Sequence, residues 1–352
     1  MDAVELFAGA GGAALGLQAA GIHHLACVEW DAAAAATLEA AGFPAVYGDV
    51  RDLSLYADLS PALVWASFPC QAWSAAGKRR GSQDDRNGWP WTVDAIDALR
   101  PRWFVAENVV GLTQHKGGCD PVCLGPELCP AAYLDNVILS DLLRRYEFVE
   151  MRVLDCAAYG VAQRRRRLII VAGPSRIEWP KPTHGEPTGQ ADLFGRELLP
   201  WRTVRDALNI ESGSGVRVTQ ASTNTHGKER ERERVVADVT DTPAKTISCR
   251  NNFNNRGPWR LDHPAPTVCA MPGGKGCGQW SASQSLRELM EEQTGIRRLT
   301  VGEVAILQDF PPDHPWQGTK TSQYTQVGNA VPPTLARVVG QAVLAADRRG
   351  ER

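Results

Sequence analysis

Short apolar runs alternate with helix-period segments over the first 175 residues of the chain. The runs predict strands at 3–7, 25–28, 45–47, 63–66, 103–106, 148–154 and 168–172. Between them, helical patterns fall near 12–20, 31–41, 91–99 and 134–145. Strands that alternate with helices predict a parallel sheet covered on both faces, which is a doubly wound α/β domain. Such sheets bind ligands beyond the carboxyl ends of their strands. Phe7, Val28 and Ala106 end three of the runs and Ser67 follows a fourth, so the residues just beyond them should converge along one edge.

The pattern changes after Gly173. Pro174, Pro180, Pro182 and Pro187 interrupt any regular element, and 185–296 is rich in Gly, Ser, Thr, Asn and Arg. The sign-alternating run from Lys228 to Arg234 reads as a solvated turn or helix. Asp241-Thr242-Pro243-Ala244 is echoed by Asp262-His263-Pro264-Ala265, each reading as a turn that feeds a short strand. Together they predict a small β-rich domain at 185–296. Helical sequence returns at 300–307 and 333–346, and the final helix is expected to rejoin the first domain, which then comprises 1–184 and 297–352.

Composition adds bounds. At 43% hydrophobic and 22% charged residues, the chain can bury a core. A formal net charge of -2 argues mildly against a simple nucleic-acid coat but allows a basic cleft on a neutral body. No apolar run has membrane-spanning length, and no signal peptide opens the chain. Nine cysteines without a signal peptide suggest a reducing compartment, with free thiols or metal ligands. A cytoplasmic protein is the expectation.

Several segments carry candidate chemistry. Gly9-x-Gly11-x-x-Ala14 follows a strand and opens a helix, so its free N–H groups can face a ligand. Glu29, further along, can bind ribose hydroxyls. This much describes a nicotinamide-dependent oxidoreductase equally well. In Ser67-Phe68-Pro69-Cys70-Gln71-Ala72-Trp73-Ser74, a strand ends in a rigid turn with a thiol at its tip. By itself, that thiol is more often a small buried hydrophobe. Glu107 ends another strand. Arg165 and Arg167 alternate at a strand start and share a side, although four consecutive arginines also fit a generic phosphate patch. Gly77-Lys78-Arg79-Arg80-Gly81 fits a mobile basic loop.

Taken in order, Phe7 with the glycine turn, Glu29-Trp30, Gly48-Asp49, Pro69-Cys70-Gln71, Glu107-Asn108-Val109, Gln163 through Arg167, and Gln326-Val327-Gly328-Asn329-Ala330 resemble the DNA (cytosine-5)-methyltransferase family of prokaryotic or phage type. The resemblance implies S-adenosylmethionine as methyl donor. Glu29 would then hold its ribose, Trp30 would pack on its adenine and Asp49 would bond the adenine amino group. Phe7, Gly9, Gly11, Gly12 and Pro69 would border the pocket, which Asn329 and Ala330 would close. It also implies that Cys70 adds to C6 of a flipped-out cytosine in double-stranded DNA while Glu107 bonds N3 and N4. Arg165 would reach the target nucleotide and support Glu107, with Arg167 beside it. Gln71, Ser74, Lys78, Arg79, Arg80 and Gln163 would touch DNA. An RNA (cytosine-5)-methyltransferase of the same fold is the nearest alternative, and the long middle region argues against it.

Two further expectations follow. The 185–296 domain should read sequence, with Arg250, Asn252 and Arg256 as candidate base readers in an Asn-rich run. The enzyme is expected to act as a monomer beside a separate restriction endonuclease, associated with cellular DNA. His115, Cys119, Cys123 and Cys129 lie in a Gly- and Pro-rich insert and can form a tetrahedral zinc site. Their spacings are looser than paired Cys-x-x-Cys sites, so free thiols are the favoured reading.

Overall fold

Strong β-formers with few polar interruptions build the centre of the molecule. The computed structural model describes residues 1–69, 87–115, 125, 129–186, 198–209, 217–219, 265–266 and 296–350. Its first strands are β1 (Asp2–Leu6), β2 (His23–Glu29), β3 (Ala45–Tyr47), β4 (Leu63–Ala66), β5 (Trp103–Val109), β6 (Phe148–Asp155), β7 (Gln163–Arg164) and β8 (Arg166–Gly173). All but β7 join one seven-stranded sheet, in the order β3-β2-β1-β4-β5-β8-β6. The five strands from β3 to β5 are parallel, as expected. The last two depart from expectation, because β8 runs antiparallel to both β5 and β6. The link from β6 to β8 holds only a 3-10 turn (Cys156–Tyr159) and β7, too little for a crossover helix, so the chain folds straight back.

Side chains alternate across the sheet. Val4, Leu6, Val28, Val64, Phe104 and Ile170 fill one face under α3 (Trp89–Leu99) and a helical stretch of α4 (Pro130–Tyr133), a π-helical segment (Leu134–Leu139) and α5 (Ser140–Leu143). Ala3, Leu63, Trp65, Trp103, Val105 and Ile169 fill the opposite face. That face is covered by α1 (Gly12–Ala19) and the C-terminal helix Pro333–Gly350. These two helices approach closely enough that a Cβ on Gly16 would sit 2.1 Å from the Pro333 carbonyl oxygen. The remaining helices, in chain order, are α2 (Ala32–Ala40), α6 (Val204–Leu208), α7 (Val301–Leu307) and α8 (Lys320–Asn329), and the C-terminal helix is α9. Thr203 with Asp206, and Thr300 with Glu303, form capping boxes that start α6 and α7.

Most of 185–296 lies outside the described residues. Its described parts include β9 (His184–Gly185) paired with β10 (Leu199–Pro200), and β11 (Arg217–Thr219) paired with β13 (Ile296–Arg298). The second Pro-Ala echo forms β12 (Ala265–Pro266), which pairs with β7. Among the described residues, no helix is long and apolar enough to cross a membrane.

Candidate active site

The site lies along the carboxyl ends of β1 to β5. Beyond β1 the backbone turns through positive φ at Phe7 (57°), Gly9 (57°) and Gly11 (86°) before α1 begins. Glycine adopts this conformation freely, but for Phe7 it is strained, a kind of strain that concentrates at ligand-binding loops. A Cβ on Gly12 would lie 2.1 Å from the Val331 carbonyl oxygen, whereas one on Gly9 would meet nothing within 4 Å. Gly12 therefore admits the C-terminal segment, and Gly9 leaves room for a ligand.

Glu29 ends β2 and locks this turn. Its Oε2 accepts from the Gly9 amide at 2.7 Å and its Oε1 from the Asp31 amide at 2.8 Å. Burial pushes its pKa up, and those amides offset part of the shift. Trp30 stands beside it with 71% of its surface exposed, a flat apolar platform. Asp31 caps α2 through the amides of Ala33 and Ala34. Asp49 follows β3, and Gly48 N–H donates to the Glu29 carbonyl. The backbone amide and guanidinium of Arg51 both donate to the Asp49 carboxylate, holding its pKa below the ordinary range. That guanidinium also lies 5.0 Å over the Trp91 ring.

The next two strand ends carry the second half of the site. Asn108 Nδ2 donates to the Phe68 carbonyl at 3.2 Å, tying the end of β5 to the residues that lead into Cys70. Glu107, beside Asn108, forms an ion pair with Arg167, Nε to Oε1 at 2.7 Å. Arg167 faces Val109 across the antiparallel β5–β8 ladder, so it reaches Glu107 diagonally. Little of either side chain is exposed, so solvent screens the pair weakly.

Two expectations are corrected here. Arg167, not Arg165, supports Glu107. Arg165 is fully buried and donates to the carbonyls of Gly328 and Ala330, which anchors the segment behind Asn329. Arg165 lies at the break between β7 and β8 and Arg167 within β8, and the two reach different partners. Gln163 is also fully buried, with Nε2 3.4 Å from Gln308 Oε1, so it supports the interior instead of lining a DNA surface. Cys70, Gln71, Ser74, Lys78, Arg79, Arg80, Cys119, Cys123, Arg250, Asn252 and Arg256 lie outside the described residues. Pro69 is described and seats against Gly88, where a Cβ would fall 2.6 Å from Pro69 Cδ. Ala330 is buried against this framework while Asn329 is exposed.

Sequence reasoning missed several supporting groups. Gln308 Nε2 donates to the Val327 and Ala330 carbonyls. His314 Nε2 lies 3.1 Å from the Ala10 carbonyl, and its ring stacks among Phe310 and Trp316. Burial pushes the His314 pKa down, which favours the neutral ring. None of these residues falls at a local spacing that would flag it, because each works across a long stretch of chain. The described thiols Cys27, Cys129 and Cys156 are all buried. Burial pushes Cys156 up to about 12 and Cys27 further still, so neither supplies a thiolate.

A model of the C-5 cytosine-specific DNA methylase family matches residues 1–345. The chain is 30% identical to "Type II methyltransferase M.NaeI" of Lentzea aerocolonigenes, over 98% of this chain and 75% of that protein. It is 27% identical to "Type II methyltransferase M.NgoMIV" of Neisseria gonorrhoeae, over 97% of each. The crystal structure of S. pombe Dnmt2 methyltransferase superposes with a TM-score of 0.59 at 16% identity, covering 99% of both chains, which speaks to the fold.

Proposed function

The chain belongs to the C-5 cytosine-specific DNA methylase family, and from that membership we propose how its own residues carry out the reaction. It is a DNA (cytosine-5-)-methyltransferase, related to type II modification enzymes, and its family uses S-adenosylmethionine. The observation that supports the residue assignment is the Asn108–Phe68 hydrogen bond, which holds Phe68, two positions before Cys70 in sequence, to the strand end that carries the Glu107–Arg167 pair.

The residues at the ends of β1 to β3 fit the cofactor. Glu29 has spare lone pairs for ribose hydroxyls, Trp30 offers a face for adenine, and Asp49, oriented by Arg51, can accept from the adenine amino group. The open space at Gly9 and the strained Phe7 border the methionine side. Pro69, Asn329 and Ala330 border the rest. When bound, S-adenosylmethionine supplies an electrophilic methyl group.

Cytosine C5 is a weak nucleophile, and Cys70 changes that. Its thiolate adds to C6, forming a C–S bond and moving the ring π electrons toward C5. As the base docks, Glu107 Oε2 takes up a proton from solvent and shares it with ring N3, while Oε1 accepts from the N4 amino group. Arg167 meets the negative charge that develops on Glu107. C5 is then electron-rich enough to accept the methyl group that bound S-adenosylmethionine would supply, with the S–CH3 bond broken and the neutral thioether left behind. Loss of the C5 proton to solvent water, return of the N3 proton to Glu107 and expulsion of the Cys70 thiolate restore the aromatic ring. The target base must leave the duplex stack for this to occur. Residues 185–296 form the target-recognition region, and the charged residues Lys78, Arg79 and Arg80 contact DNA with Gln71 and Ser74. The enzyme works as a monomer on cellular double-stranded DNA, separately from a cognate endonuclease.

A duplex with 5-fluorocytosine at the target position tests the covalent step, because fluorine cannot leave as a proton. Wild-type protein should form a denaturation-resistant adduct in the presence of cofactor, and Cys70→Ala should form none. An adduct that persists in Cys70→Ala overturns the assignment.

A further inference from the structure

Two histidines make side-chain contacts of different kinds. His115 Nδ1 lies 3.6 Å from Cys129 Sγ, within the cysteine insert. His314 reaches across 304 positions of chain and meets the turn that follows β1, where its Nε2 is 3.1 Å from the Ala10 carbonyl oxygen. A carbonyl oxygen can only accept, so Nε2 carries the ring proton and donates it. The His314 side chain is almost fully buried, and its ring packs against Phe310 and Trp316 with centroids 4.8 and 4.5 Å away. Burial favours its neutral form. In that form one ring nitrogen alone holds a proton, and the bond to Ala10 selects which.

Ala10 lies between the two positive-φ glycines of the turn, Gly9 and Gly11. Glycine backbone has many accessible shapes, so such a turn needs outside anchors to keep one. The Glu29 carboxylate accepts from the Gly9 amide at 2.7 Å, and the Ala8 carbonyl accepts from the Gly11 amide at 3.2 Å. His314 holds the Ala10 carbonyl, which shares one rigid peptide plane with the Gly11 N–H. The rest of the C-terminal segment adds to this grip. A Cβ on Gly12 would come within 3.1 Å of the Phe310 ring. Further on, the Gln317 amide donates to Thr37 Oγ1 of α2 at 3.0 Å, and a Cβ on Gly318 would fall 2.8 Å from Ala33 Cβ. The segment therefore clasps the glycine turn and α2 together from outside. Glu29 joins the same two pieces from within, through the amides of Gly9 and Asp31.

On the cofactor reading given above, we propose that His314 is a positioning residue for the methyl donor: by fixing the Ala10–Gly11 peptide, it sets the turn in the shape that receives S-adenosylmethionine. His314 acts through the backbone of the turn and is assigned no contact with a reacting atom. The bond to Ala10 is already made in the cofactor-free protein, so the turn is ordered before binding and less ordering is left to do when cofactor arrives. Its contribution belongs to affinity for cofactor more than to the chemical step.

Calorimetric titration of the full-length protein with S-adenosylhomocysteine, the donor without its methyl group, is the test. His314→Phe keeps an aromatic ring and loses the donor, whereas His314→Gln keeps an N–H donor and loses the ring. His314→Phe should weaken binding by roughly five- to tenfold, the scale of one lost hydrogen bond, and His314→Gln should recover most of that loss. In methylation kinetics the loss should fall on KM for cofactor more than on kcat. A purely structural role gives another pattern, with a lower unfolding temperature and unchanged affinity in the folded protein. Nitrogen-15 spectra of the wild-type imidazoles, assigned by the resonances missing from His314→Gln, should show His314 Nε2 protonated at neutral pH and shifted by S-adenosylhomocysteine. Folded His314→Phe that binds as tightly as wild type overturns the proposal. So does folded His314→Gln weakened as far as His314→Phe, which would assign the effect to ring packing. If His314→Phe does not fold, the wild-type spectra decide, and an Nε2 that is unprotonated or unmoved by the ligand overturns the proposal. Wild type that binds no S-adenosylhomocysteine overturns the cofactor reading itself, a failure seen before any substitution is made.

Discussion

Arg167 reaches diagonally across the β5–β8 ladder to place its Nε 2.7 Å from Oε1 of Glu107, at the first of the sheet's two antiparallel pairings among the described residues. The antiparallel return of β8 is what brings a cation to the carboxyl end of a parallel strand. With a parallel neighbour, Arg167 would start at the opposite end of the sheet. Arg167→Ala should lower kcat by roughly 10²-fold, the scale of removing one preorganised charge-stabilising donor. Cofactor affinity should be unchanged. Arg167→Lys should fall between, since it keeps the charge and loses the planar fork. Single-turnover methylation with saturating cofactor measures both variants, and a Lys variant no better than Ala would mean that charge is not the contribution.

Glu29 uses both carboxylate oxygens on backbone amides, so a proton there competes with cofactor. Burial raises its pKa above the ordinary Glu value of about 4.3. Affinity for S-adenosylmethionine should therefore decline as pH falls through that raised value. Folding has the opposite sign. A carboxyl that holds its proton more tightly when folded favours folding at low pH and loses that contribution as pH rises through the folded pKa. Glu29→Gln should weaken cofactor binding by about 1–3 kcal/mol, because one amide N–H then faces an NH2 group. It should also flatten the acid limb. Calorimetric titration across pH separates the two effects.

Gly12 and Gly9 sit in the same turn and should respond differently. Gly12→Ala drives a methyl group into the Val331 carbonyl and toward Phe310. A loss of about 1–3 kcal/mol in stability is expected, the usual cost of overpacking. Gly9→Ala meets no atom within 4 Å but must keep a φ of 57°. Its cost should be near 1 kcal/mol, from the left-handed backbone alone. Its larger effect should appear as weakened cofactor binding. Denaturant unfolding and calorimetry on both variants check the contrast.

The recognition region carries the remaining prediction. Arg250→Ala or Arg256→Ala should relax or change the methylated sequence, read by bisulfite sequencing of a random-sequence library, while the Cys70 adduct still forms. Variants that keep the same target and lose only salt-sensitive affinity would place these arginines on phosphates.

Much of this arrangement was legible in the chain, because a strand buried on both faces must be continuously apolar. The runs at 45–47 and 63–66 match β3 and β4 residue for residue. β5 extends to Val109, beyond its apolar run, because Glu107 and Asn108 continue the ladder with β8. Strand direction at the far edge was not legible, since it depends on how little chain separates β6 from β8. The division of labour between Arg165 and Arg167 was hidden for the same reason. Helix α8 was missed because Lys320-Thr321-Ser322-Gln323 shows no apolar period. It is held from elsewhere, by the Thr319 cap and by Gln326 accepting from Thr37 Oγ1 at 2.8 Å.

The seat of Val331 on Gly12 joins parts of the molecule that are synthesised far apart in time. The glycine turn leaves the ribosome long before the carbonyl that covers it. Arg165 and Gln308 must likewise wait for the Ala330 carbonyl before their buried donors are satisfied. A nascent chain can pair β1 to β5 early, yet the wall of its cofactor end stays missing until the segment around Val331 has been made. Any polypeptide that stops short of this segment carries Cys70 and Glu107 without a closed cofactor seat, so prematurely terminated products should leave host DNA unmodified.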